Sequence, residues 1–339
     1  TESIRIGVIG VGHLGRYHAQ KYAAMQGVKL VGVADLNPAQ AARAARETGA
    51  AAFTDYRELV GKVDAVSVAT TTTSHFEVGS FCLQNGMDVM MEKPITTTLA
   101  EADTLVRLAA DHGRILQVGL IERFNPAIRA VQPSLNLPLF IEAKRVSVFT
   151  HRSTDVDVII DLMIHDLDII LSLVQAPIAS LSAVGGPIIT PHTDIVNAHL
   201  IFQNGCTANI TTSRVSPMME RRMRIFQPGE CLTIDFNQKS CSQLRLTVDA
   251  LENMPVPVVR EIPVVPADAL EQELLDFVGC VRTRRQPTVT GAQGRDALAL
   301  ALEIIAAAQK NHQLLNQTMQ AAGFRDCAFL RRPDRKSVV

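Results

Sequence analysis

The stretch Ile4–Asp35, which reads IRIGVIGVGHLGRYHAQKYAAMQGVKLVGVAD, decides the fold of the first half of the chain. Its first six residues, Ile4–Ile9, are rich in β-branched apolar side chains, as a buried strand requires. Val28–Ala34 has the same character and predicts a second strand. The segment between them favours a helix, and we expect four of its large side chains to be buried: Leu14, Tyr17, Tyr22 and Met25. This order of elements predicts a βαβ unit with parallel strands.

The turn between the first strand and the helix is rich in glycine and reads GVGHLG. Gly10 permits the tight turn, Gly12 has no Cβ that would keep a pyrophosphate away, and Gly15 allows close packing on the strand. The helix N-terminus supplies N–H groups and partial positive charge for phosphates. Asp35 would accept hydrogen bonds from an adenosine ribose. A glycine turn in an ordinary βαβ unit is the alternative, but the position of the acid after the second strand favours dinucleotide binding. The candidate contacts here are Gly10, Gly12, His13, Leu14, Gly15 and Asp35.

The residues after Asp35 favour NAD over NADP as the cofactor. Residue 36 is a leucine and no arginine follows at once, so a 2′-phosphate would face a carboxylate without a neighbouring guanidinium. Asn37-Pro38 opens a helix that we expect to reach about Glu47 and to end at Gly49. Arg43 and Arg46 lie on this helix and are the residues that could offset the preference.

The composition is that of a globular protein with room for two domains. The chain has 339 residues, of which 47% are hydrophobic and 20% charged, and its net charge is −1. Bulk charge therefore favours neither nucleic acid nor an anionic membrane as a partner. The six cysteines are scattered without a CxxC pair, which predicts neither a disulfide framework nor a zinc site. We find no signal-peptide pattern and no apolar run of membrane-spanning length, so a cytoplasmic protein without a metal is expected.

A hydroxyl-rich loop follows the strand predicted at Ala65–Ala69. It reads TTTTSH, from Thr70 to His75, and opens a helix that should reach about residue 85. Loops at the carboxyl ends of parallel strands line the ligand crevice of such a sheet, so Thr70, Thr71 and His75 are candidate cofactor contacts. Capping by Thr73 or Ser74 is the alternative role of the hydroxyl groups, and capping or solvent contact that of His75.

Charged residues end the next predicted strand, Asp88–Met91. Glu92, Lys93 and Pro94 follow it, and the proline favours an extended Lys93 and stops the strand. At the end of a buried parallel strand the charged pair would lie in the crevice where open α/β sheets bind ligands. An exposed Glu-Lys-Pro turn is the alternative. Another helix and a sixth strand-like segment, residues 115–119, complete this half of the chain.

The second half is predicted to form a largely antiparallel sheet that packs on helices. Turn signals such as Gln203-Asn204-Gly205 indicate consecutive hairpins. Such a sheet often leaves one face for a second subunit. Helices are expected at 267–283 and 291–315, and strands at 139–149, 178–185, 195–202, 206–213, 222–227, 231–236 and 243–249.

One helix of this half, Val158–Leu171, is apolar nearly all round and should be buried. It nevertheless carries Asp161, His165 and Asp168, and the first two share a face because they are four residues apart. Asp166 points about 100° away from His165. Because burying a carboxylate without a partner is costly, three interpretations stay open: a structural Asp–His pair, a metal site, and an acid–base histidine oriented by Asp161. The dinucleotide-type unit upstream favours the third.

Together these motifs resemble the Gfo/Idh/MocA family, named after glucose–fructose oxidoreductase, inositol dehydrogenase and a rhizopine-catabolism protein. The resemblance covers almost the whole chain and includes GVIGVGHLG, Asp35, Glu92-Lys93-Pro94, Asp161-x-x-x-His165 and the closing stretch Phe277–Ile304. It implies an α/β fold, with a Rossmann dinucleotide-binding domain at 1–122 and an α+β domain at 123–339 that contains a large open sheet. The C-terminal helices are free to pack back on the first domain.

The resemblance also implies roles for individual residues. Lys93 corresponds to the lysine that hydrogen-bonds the reacting hydroxyl, His165 to the residue that takes or gives its proton, and Asp161 to the carboxylate of the same triad. Glu92 corresponds to a residue on the nicotinamide-ribose side of the cofactor. Many relatives have Thr-Pro where this chain has Thr70-Thr71, and this departure affects the loop beside the nicotinamide. The implied reaction moves a hydride from a secondary alcohol to NAD, with histidine as the base.

The segment Glu122–Pro126 and the helix around His165 resemble members that act on UDP-N-acetylhexosamines, some of which oxidise the 3-hydroxyl of the sugar. This implies Arg123 and Asn125, with Asp161 and His165, as substrate contacts. An inositol or free-sugar dehydrogenase and a non-catalytic dinucleotide-sensing regulator are the alternatives. The family resemblance further implies a homodimer or homotetramer formed through the C-terminal sheet.

A basic run in the second half has two interpretations. It either meets a nucleotide diphosphate or forms an exposed strand face of alternating charge. Its members are Arg214, Arg221, Arg222 and Arg224.

Overall fold

The computed structural model describes residues 3–150, 155–248 and 254–322. Two compact units are present: the first comprises the described residues up to Phe124 together with 267–298, and the second those from 125 to 266 and from 299 onward. Residues 267–298 thus cluster with the N-terminal part of the chain, and the division at 122 and 123 stays a prediction. The described helices are α1 (His13–Ala24), α2 (Pro38–Thr48), α3 (Thr72–Gln84), α4 (Leu99–Asp111), α5 (Pro126–Val131), α6 (Ile164–Val174), α7 (Ala269–Thr283) and α8 (Gly291–Ala321).

A six-stranded parallel sheet forms the centre of the first unit. Its strands are β1 (Ile4–Ile9), β2 (Val28–Ala34), β3 (Ala51–Phe53), β4 (Ala65–Val68), β5 (Asp88–Glu92) and β6 (Leu116–Gly119). Their spatial order is β3-β2-β1-β4-β5-β6, which is the doubly wound order of a Rossmann fold. This confirms the predicted α/β class. The order in which successive strands are added to the sheet reverses between the neighbours β1 and β4. The carboxyl ends of these two strands therefore border the crevice where such sheets bind ligands.

Helix α1 packs on this sheet through a stripe that differs from the predicted one. The buried residues follow the i, i+3, i+4, i+7 spacing of an amphipathic helix: Gly15, His18, Ala19 and Tyr22. Leu14 and Tyr17 are 47% and 45% exposed, so the prediction that they are buried was wrong. The reason is steric, since a Cβ at Gly15 would lie 1.8 Å from the carbonyl oxygen of Gly10. The helix meets the strand at the residue that has no side chain.

The ends of α2 agree with the sequence signals, whereas the start of α3 does not. The Asn37 side chain accepts a hydrogen bond from the N–H of Ala39 at 3.0 Å, and Gly49 ends α2 with a φ of 74°. Helix α3 begins at residue 72, so Thr71 is its N-cap, and its side chain makes no capping hydrogen bond. The alternative role of Thr73 and Ser74 as capping residues is therefore not observed, since both lie inside the helix.

The second unit contains an eight-stranded sheet. Its strands are β7 (Phe140–Val146), β8 (Ile178–Gly186), β9 (Ile195–Phe202), β10 (Thr207–Ser213), β11 (Glu220–Gln227), β12 (Glu230–Asp235), β13 (Ser240–Val248) and β14 (Pro255–Ile262). The order is β14-β13-β12-β11-β7-β10-β9-β8. Among the described strands of this second sheet, only β7 and β10 pair in parallel, and the other neighbours are antiparallel. Seven of the strands were predicted, although residue 249 of the predicted segment 243–249 lies outside the described residues.

The eighth strand, β14, was missed because it contains Pro255 and Pro257. It lies at the edge of the sheet and pairs only with β13 in the described chain. An edge strand tolerates proline because one side of its backbone has no ladder hydrogen bonds to lose.

The core of the second unit lies on one face of its sheet. Leu167 and Ile170 of α6 belong to the same apolar cluster as Ala198 of β9. On β9, the alternate residues Ile195 and Ile201 point to the opposite face and are 38% and 36% exposed. The sheet thus has one packed face and one face with exposed side chains. In the part of the chain that the structure describes, no helix combines the length and the apolar character needed to cross a bilayer.

Candidate active site

The glycine-rich turn of the first unit leaves open space at Gly12. A Cβ built there has no protein atom closer than the side-chain oxygen of Gln40, at 3.9 Å. The residue directly precedes α1, and the first N–H groups of a helix have no partner within the helix. Room for a close approach and donors at His13 and Leu14 fit a pyrophosphate at this turn. The residues present therefore match the group that the sequence predicts.

Asp35 is tied to the same turn. One of its carboxylate oxygens accepts a hydrogen bond from the backbone N–H of Val11 at 2.8 Å, and the other accepts one from Asn37 at 2.8 Å. Two backbone donors thus fix the carboxylate beside the turn. A carboxylate has about four acceptor positions, so Asp35 retains the capacity to accept hydrogen bonds from ribose hydroxyls.

A cavity of about 380 Å³ opens next to this turn. Two arginines of its wall meet one carboxylate: the Nε atoms of Arg16 and Arg43 lie 2.6 Å and 3.2 Å from the oxygens of Glu47. Arg46, which the sequence also singled out, is exposed and does not line the cavity. The Arg16 guanidinium, with smaller contributions from Arg43 and Gln20, holds the pKa of the Glu47 carboxyl below its usual value. The lining residues are Val11, Gly12, His13, Arg16, Tyr17, Gln40, Arg43 and Ala44.

The space at Gly12 gives a first prediction. Gly12→Ala should fold normally, with a change in Tm below about 3 °C, because its methyl group only reaches ordinary contact distance of the Gln40 side chain, at 3.9 Å. The dissociation constant of NADH should rise by about tenfold or more, since the methyl group enters the space required by the pyrophosphate. Fluorescence titration and thermal unfolding measure the two effects. Gly15→Ala is the comparison and should lose stability itself. Wild-type affinity in Gly12→Ala would place the pyrophosphate elsewhere.

His75 is buried and joins two loops of the candidate crevice. Its Nδ1 lies 2.9 Å from the carbonyl oxygen of Pro94, and its Nε2 lies 3.2 Å from that of Thr70. It is therefore neither a helix cap nor a solvent-exposed residue, and a direct cofactor contact stays a prediction. Thr70 is half-buried and accepts a hydrogen bond from the Ser74 hydroxyl at 2.8 Å, whereas Thr71 is exposed.

The environment of His75 predicts a pH-dependent stability. Burial holds the pKa of the imidazole below its usual value, although the neighbouring carbonyls oppose this. The unfolded chain then takes up the proton more readily than the folded protein, so the free energy of unfolding should fall as the pH drops below about 6.5. Urea unfolding between pH 5 and 8 measures this slope, in about half-unit steps. His75→Asn should flatten it, whereas His112→Asn, at an exposed position, should not. Equal slopes in wild type and His75→Asn would contradict the assignment.

Glu92 and Lys93 lie at the carboxyl end of β5. Glu92 is only 8% exposed; one oxygen lies 3.1 Å from Nε2 of His18, and the other accepts the backbone N–H of Lys93 at 3.2 Å. Lys93 is half-buried, and the Lys93–Pro94 peptide bond is cis. The segment is therefore not the exposed turn of the alternative interpretation. The predicted contact of Glu92 with the nicotinamide side of the cofactor stays a prediction.

The polar network next to Glu92 was not predicted from the sequence. The Nδ1 of His18 lies 2.8 Å from the hydroxyl of Ser67, and the hydroxyl of Tyr22 lies 3.5 Å from the same atom. All three residues are buried. The available signal was the helical spacing that starts at Gly15, because His18 is a polar residue on the stripe that packs against the strand.

In the second unit, Asp161 and His165 lie where α6 begins. A single π-helical turn, Ile159–Met163, precedes α6 and contains Asp161, and such irregularities are frequent at functional sites. Both residues are half-buried. The chain before the turn is held in place, because Asp157 accepts the N–H of Thr193 at 2.9 Å.

A buried ion pair anchors the same helix. Arg145 of β7 donates through Nε and Nη2 to the two oxygens of Asp166, both at 2.8 Å, and both side chains are 2% exposed. The guanidinium also lies 5.3 Å from the ring centre of Phe236. The sequence indicated that this helix needs internal partners for its carboxylates, but it gave no sign that Arg145 is one of them.

The predicted substrate contacts occupy different surroundings. Arg123 is half-buried and donates to the carbonyl of Thr288 at 3.2 Å. Asn125 caps α5 by accepting from the N–H of Ala127 at 3.1 Å, and it donates to the carbonyl of Phe236 at 3.2 Å. Asn125 therefore has a structural role, and its contact with a substrate stays a prediction.

The four arginines of the basic run do not share one environment. Arg214 is buried and donates to the carbonyl of Val156 at 2.6 Å. Arg222 and Arg224 are exposed or half-buried and meet acidic partners; for Arg224 this is Glu142, at 2.9 Å. These two fit the interpretation of a face with alternating charge.

Arg221 differs from the other three. It stands opposite Arg145 in the β11–β7 pairing and therefore lies on the sheet face that Asp166 of α6 meets. It is therefore placed on the same sheet face as the Arg145–Asp166 pair.

The structure leaves the predicted catalytic triad as a prediction. Lys93 belongs to the first unit, and Asp161 and His165 belong to the second.

Among residues 3–150, 155–248 and 254–322, no group of three or more His, Cys, Asp or Glu side chains could hold a metal ion.

The fold and the turn of the first unit define a class of protein. A parallel sheet in Rossmann order, a glycine turn with open space at Gly12 and a fixed acid at Asp35 are the features of a dinucleotide-binding oxidoreductase domain. The sequence model described as an oxidoreductase family with an NAD-binding Rossmann fold matches residues 4–120, and that of the GFO/IDH/MocA C-terminal domain matches residues 133–227. The chain belongs to the Gfo/Idh/MocA oxidoreductase family. This confirms the predicted family and the assignment as a dehydrogenase.

Individual relatives agree over most of the chain. It is 39% identical over 302 residues to a UDP-N-acetylglucosamine 3-dehydrogenase of Acidithiobacillus ferrooxidans, covering 89% of this chain and 96% of the relative. A scyllo-inositol 2-dehydrogenase (NAD(+)) of Bacillus subtilis is 27% identical, with 85% and 89% covered. The solved structure of the A. ferrooxidans enzyme superposes with a TM-score of 0.87 at 38% identity, over 92% of this chain and 99% of that one. Levoglucosan dehydrogenase in complex with NADH has the same fold, with a TM-score of 0.81 at 18% identity, over 91% and 98%.

Proposed function

We propose that this protein oxidises the 3-hydroxyl group of a UDP-N-acetylhexosamine with NAD as the hydride acceptor. The observation that carries the proposal is the 39% identity, over 89% of the chain, to a UDP-N-acetylglucosamine 3-dehydrogenase. The inositol dehydrogenase is less similar, at 27%. NAD bound at the glycine turn supplies the hydride acceptor, so the chain itself has to position the sugar and move one proton.

Three side chains are proposed to do this work. The Lys93 ammonium donates a hydrogen bond to the reacting hydroxyl and stabilises the negative charge that develops on its oxygen. The His165 imidazole accepts the proton, since a histidine titrates near neutral pH. The Asp161 carboxylate, on the π-helical turn before His165, orients and stabilises the imidazolium. Arg123 and Asn125 are the proposed sugar contacts, and Arg221 is the proposed contact of the diphosphate.

The preference for NAD over NADP is proposed to rest on two carboxylates. Asp35 is fixed beside the turn by the N–H groups of Val11 and Asn37, where a 2′-phosphate would meet its charge. Glu47 engages the two arginines of the adjoining cavity, Arg16 and Arg43. These are the guanidinium groups that would otherwise be available to a 2′-phosphate.

The role of Glu47 can be tested through cofactor affinity. Glu47→Gln should lower the dissociation constant of NADPH by about three- to fivefold, because Arg16 and Arg43 lose their competing anion at an exposed site. The dissociation constant of NADH should change by less than about twofold. Fluorescence titration measures both. Glu58→Gln removes the same charge from an exposed position of the same unit and should change neither. An unchanged NADPH affinity in Glu47→Gln would remove Glu47 from the selectivity.

A substrate panel tests the proposed activity. The purified protein is incubated with NAD and, in separate reactions, UDP-N-acetylglucosamine, UDP-N-acetylgalactosamine, myo-inositol, scyllo-inositol and glucose, and NADH formation is followed by absorbance. We expect turnover of a UDP-N-acetylhexosamine and little of the free polyols. Turnover confined to an inositol or glucose would replace the proposal by the polyol alternative. Binding of NADH without turnover of any member of a wide sugar panel would favour a regulator.

We also propose that the protein is a homodimer or homotetramer that works in the cytoplasm, where NAD and nucleotide sugars are available. The support for the oligomer is the second sheet, whose face opposite the core presents exposed apolar side chains on β8 and β9. These include Val184, Ile195 and Ile201. A sheet with one packed face and one partly apolar face is suited to association with a second copy.

A further inference from the structure

A buried row of polar side chains lies beneath the strand end that carries Lys93, and the proposed chemistry does not use it. The row consists of Tyr22, Ser67 and His18, and it ends at the carboxylate of Glu92. We infer that His18 is a positioning residue: it holds the Glu92 carboxylate in place and, through it, the backbone and the electrostatic surroundings of Lys93. The inference rests on the proposed function, because it assigns His18 to the same reaction.

The contacts of the row agree with one tautomer of His18. If the Ser67 hydroxyl donates to Nδ1 of His18, at 2.8 Å, the imidazole proton is on Nε2, which lies 3.1 Å from a carboxylate oxygen of Glu92. The second oxygen of Glu92 accepts the backbone N–H of Lys93 at 3.2 Å. The carboxylate therefore connects the interior of the helix–sheet interface to the residue proposed to touch the reacting hydroxyl.

Packing confines the carboxylate to this position. A Cβ on Gly119 of the neighbouring strand would lie 3.1 Å from the carboxyl carbon of Glu92, which is inside ordinary contact distance. The side chain is also nearly buried. Ser67, His18 and Glu92 have the connectivity of a hydrolytic triad, but the Ser67 hydroxyl is buried and no substrate reaches it. These contacts restrict the position of the Glu92 carboxylate.

The electrostatics agree with this role. Burial opposes ionisation of Glu92, but the contact with His18, together with the charge and the backbone N–H of Lys93, outweighs it, so the pKa of Glu92 lies below its usual value. The charge of Glu92 also contributes to raising the pKa of His75 on α3 and that of Tyr22 on α1. Glu273 of α7 acts on the pKa of Tyr22 in the same direction. An ionised Glu92 places a permanent negative charge one residue from the Lys93 ammonium.

His18→Leu tests the inference, because leucine retains the apolar volume and removes the donor. The kcat for the UDP-sugar should fall by about 10- to 100-fold, with KM within about threefold, as Lys93 is displaced. A carboxylate buried without its donor has a raised pKa, so the acidic limb of the pH–kcat profile should move to higher pH. A loss of stability by itself would not move this limb.

Three further variants separate positioning from a structural effect. Tyr22→Phe changes the far end of the row and should keep kcat within about twofold, whatever its Tm. His18→Gln restores a donor to Glu92 and should recover most of the lost kcat. In a double-mutant cycle, His18→Leu in a Glu92→Gln background should cost much less than in wild type, because both act through the same contact.

A second readout does not need turnover. The ¹³C-carboxyl NMR signal of Glu92, assigned with Glu92→Gln, should titrate at a clearly higher pH in His18→Leu than in wild type. The inference is overturned if this titration and the pH–kcat profile are unchanged in His18→Leu, or if the two substitutions in the cycle are additive. If the wild type turns over no sugar, the proposed function fails, and the carboxyl titration still decides whether His18 controls Glu92.

Discussion

Lys93→Met is expected to lower kcat for a UDP-N-acetylhexosamine by about 10²- to 10³-fold. Methionine has a similar length but no charge and no donor, so the developing negative charge on the reacting oxygen loses its stabilising partner. The dissociation constant of NADH should change by less than about threefold, since the pyrophosphate and the ribose are held at Gly12 and Asp35. Steady-state kinetics and fluorescence titration measure the two quantities.

Lys29→Met is the matched control for this prediction. Lys29 belongs to the same unit and is exposed on β2, so its substitution removes an equal charge and should leave kcat unchanged. A similar loss in both variants would indicate a general effect of charge. A Lys93→Met enzyme with wild-type kcat would remove Lys93 from the reaction and return the Glu-Lys-Pro segment to a structural role.

His165→Gln is expected to lower kcat by about 10²- to 10⁴-fold, because the proton of the sugar hydroxyl loses its acceptor. The remaining rate should increase with pH up to the highest pH at which the protein is folded, since the solvent then has to take the proton. The binding of NADH should persist. Initial rates over a range of pH, with thermal unfolding in parallel, provide the measurement.

His199→Gln is the control for His165. This histidine is half-buried in the same unit, on β9, and contacts Asn209 across the sheet at 2.6 Å. Its substitution should leave kcat within about twofold. If His165→Gln retained full activity while Lys93→Met did not, the Asp161–His165 pair would be structural, as one of the initial interpretations holds.

The two variants also bear on the regulator alternative. A dinucleotide sensor needs the turn at Gly12 but has no use for Lys93 and His165. For such a protein, both variants would bind NADH and respond to it as the wild type does, and the wild type would oxidise no sugar. Loss of turnover in both variants with retained NADH binding would separate the enzyme from the sensor.

The sequence predicted those features of the first unit that depend on local patterns. Each strand is a short apolar run, and the Gly10–Gly15 turn has a conformational reason that can be read from residue type alone. The helix face was predicted less well, because Leu14 and Tyr17 are apolar and yet exposed. Which face of α1 packs is decided by the contact of Gly15 with Gly10, and that contact exists only once the strand and the helix are assembled.

In the second unit, the predictions failed where a residue's environment overrides its propensity. The prolines of β14 argue against a strand, but they are tolerated at the edge of a sheet. Arg214 resembles a surface arginine in the sequence, yet it is buried. Its guanidinium donates to the carbonyl of Val156, a partner 58 residues away along the chain.

The amino-acid sequence by itself determined the strand segments of the first unit, the dinucleotide turn, the family and the list of polar groups suited to redox chemistry on a sugar. Only the tertiary structure decided how those groups are held: Arg145 against Asp166, and His18 with Ser67 against Glu92. The physical reason is that glycine turns and apolar periodicity act between near neighbours in the chain. The partner of a buried charge comes from whichever strand or helix the fold brings beside it.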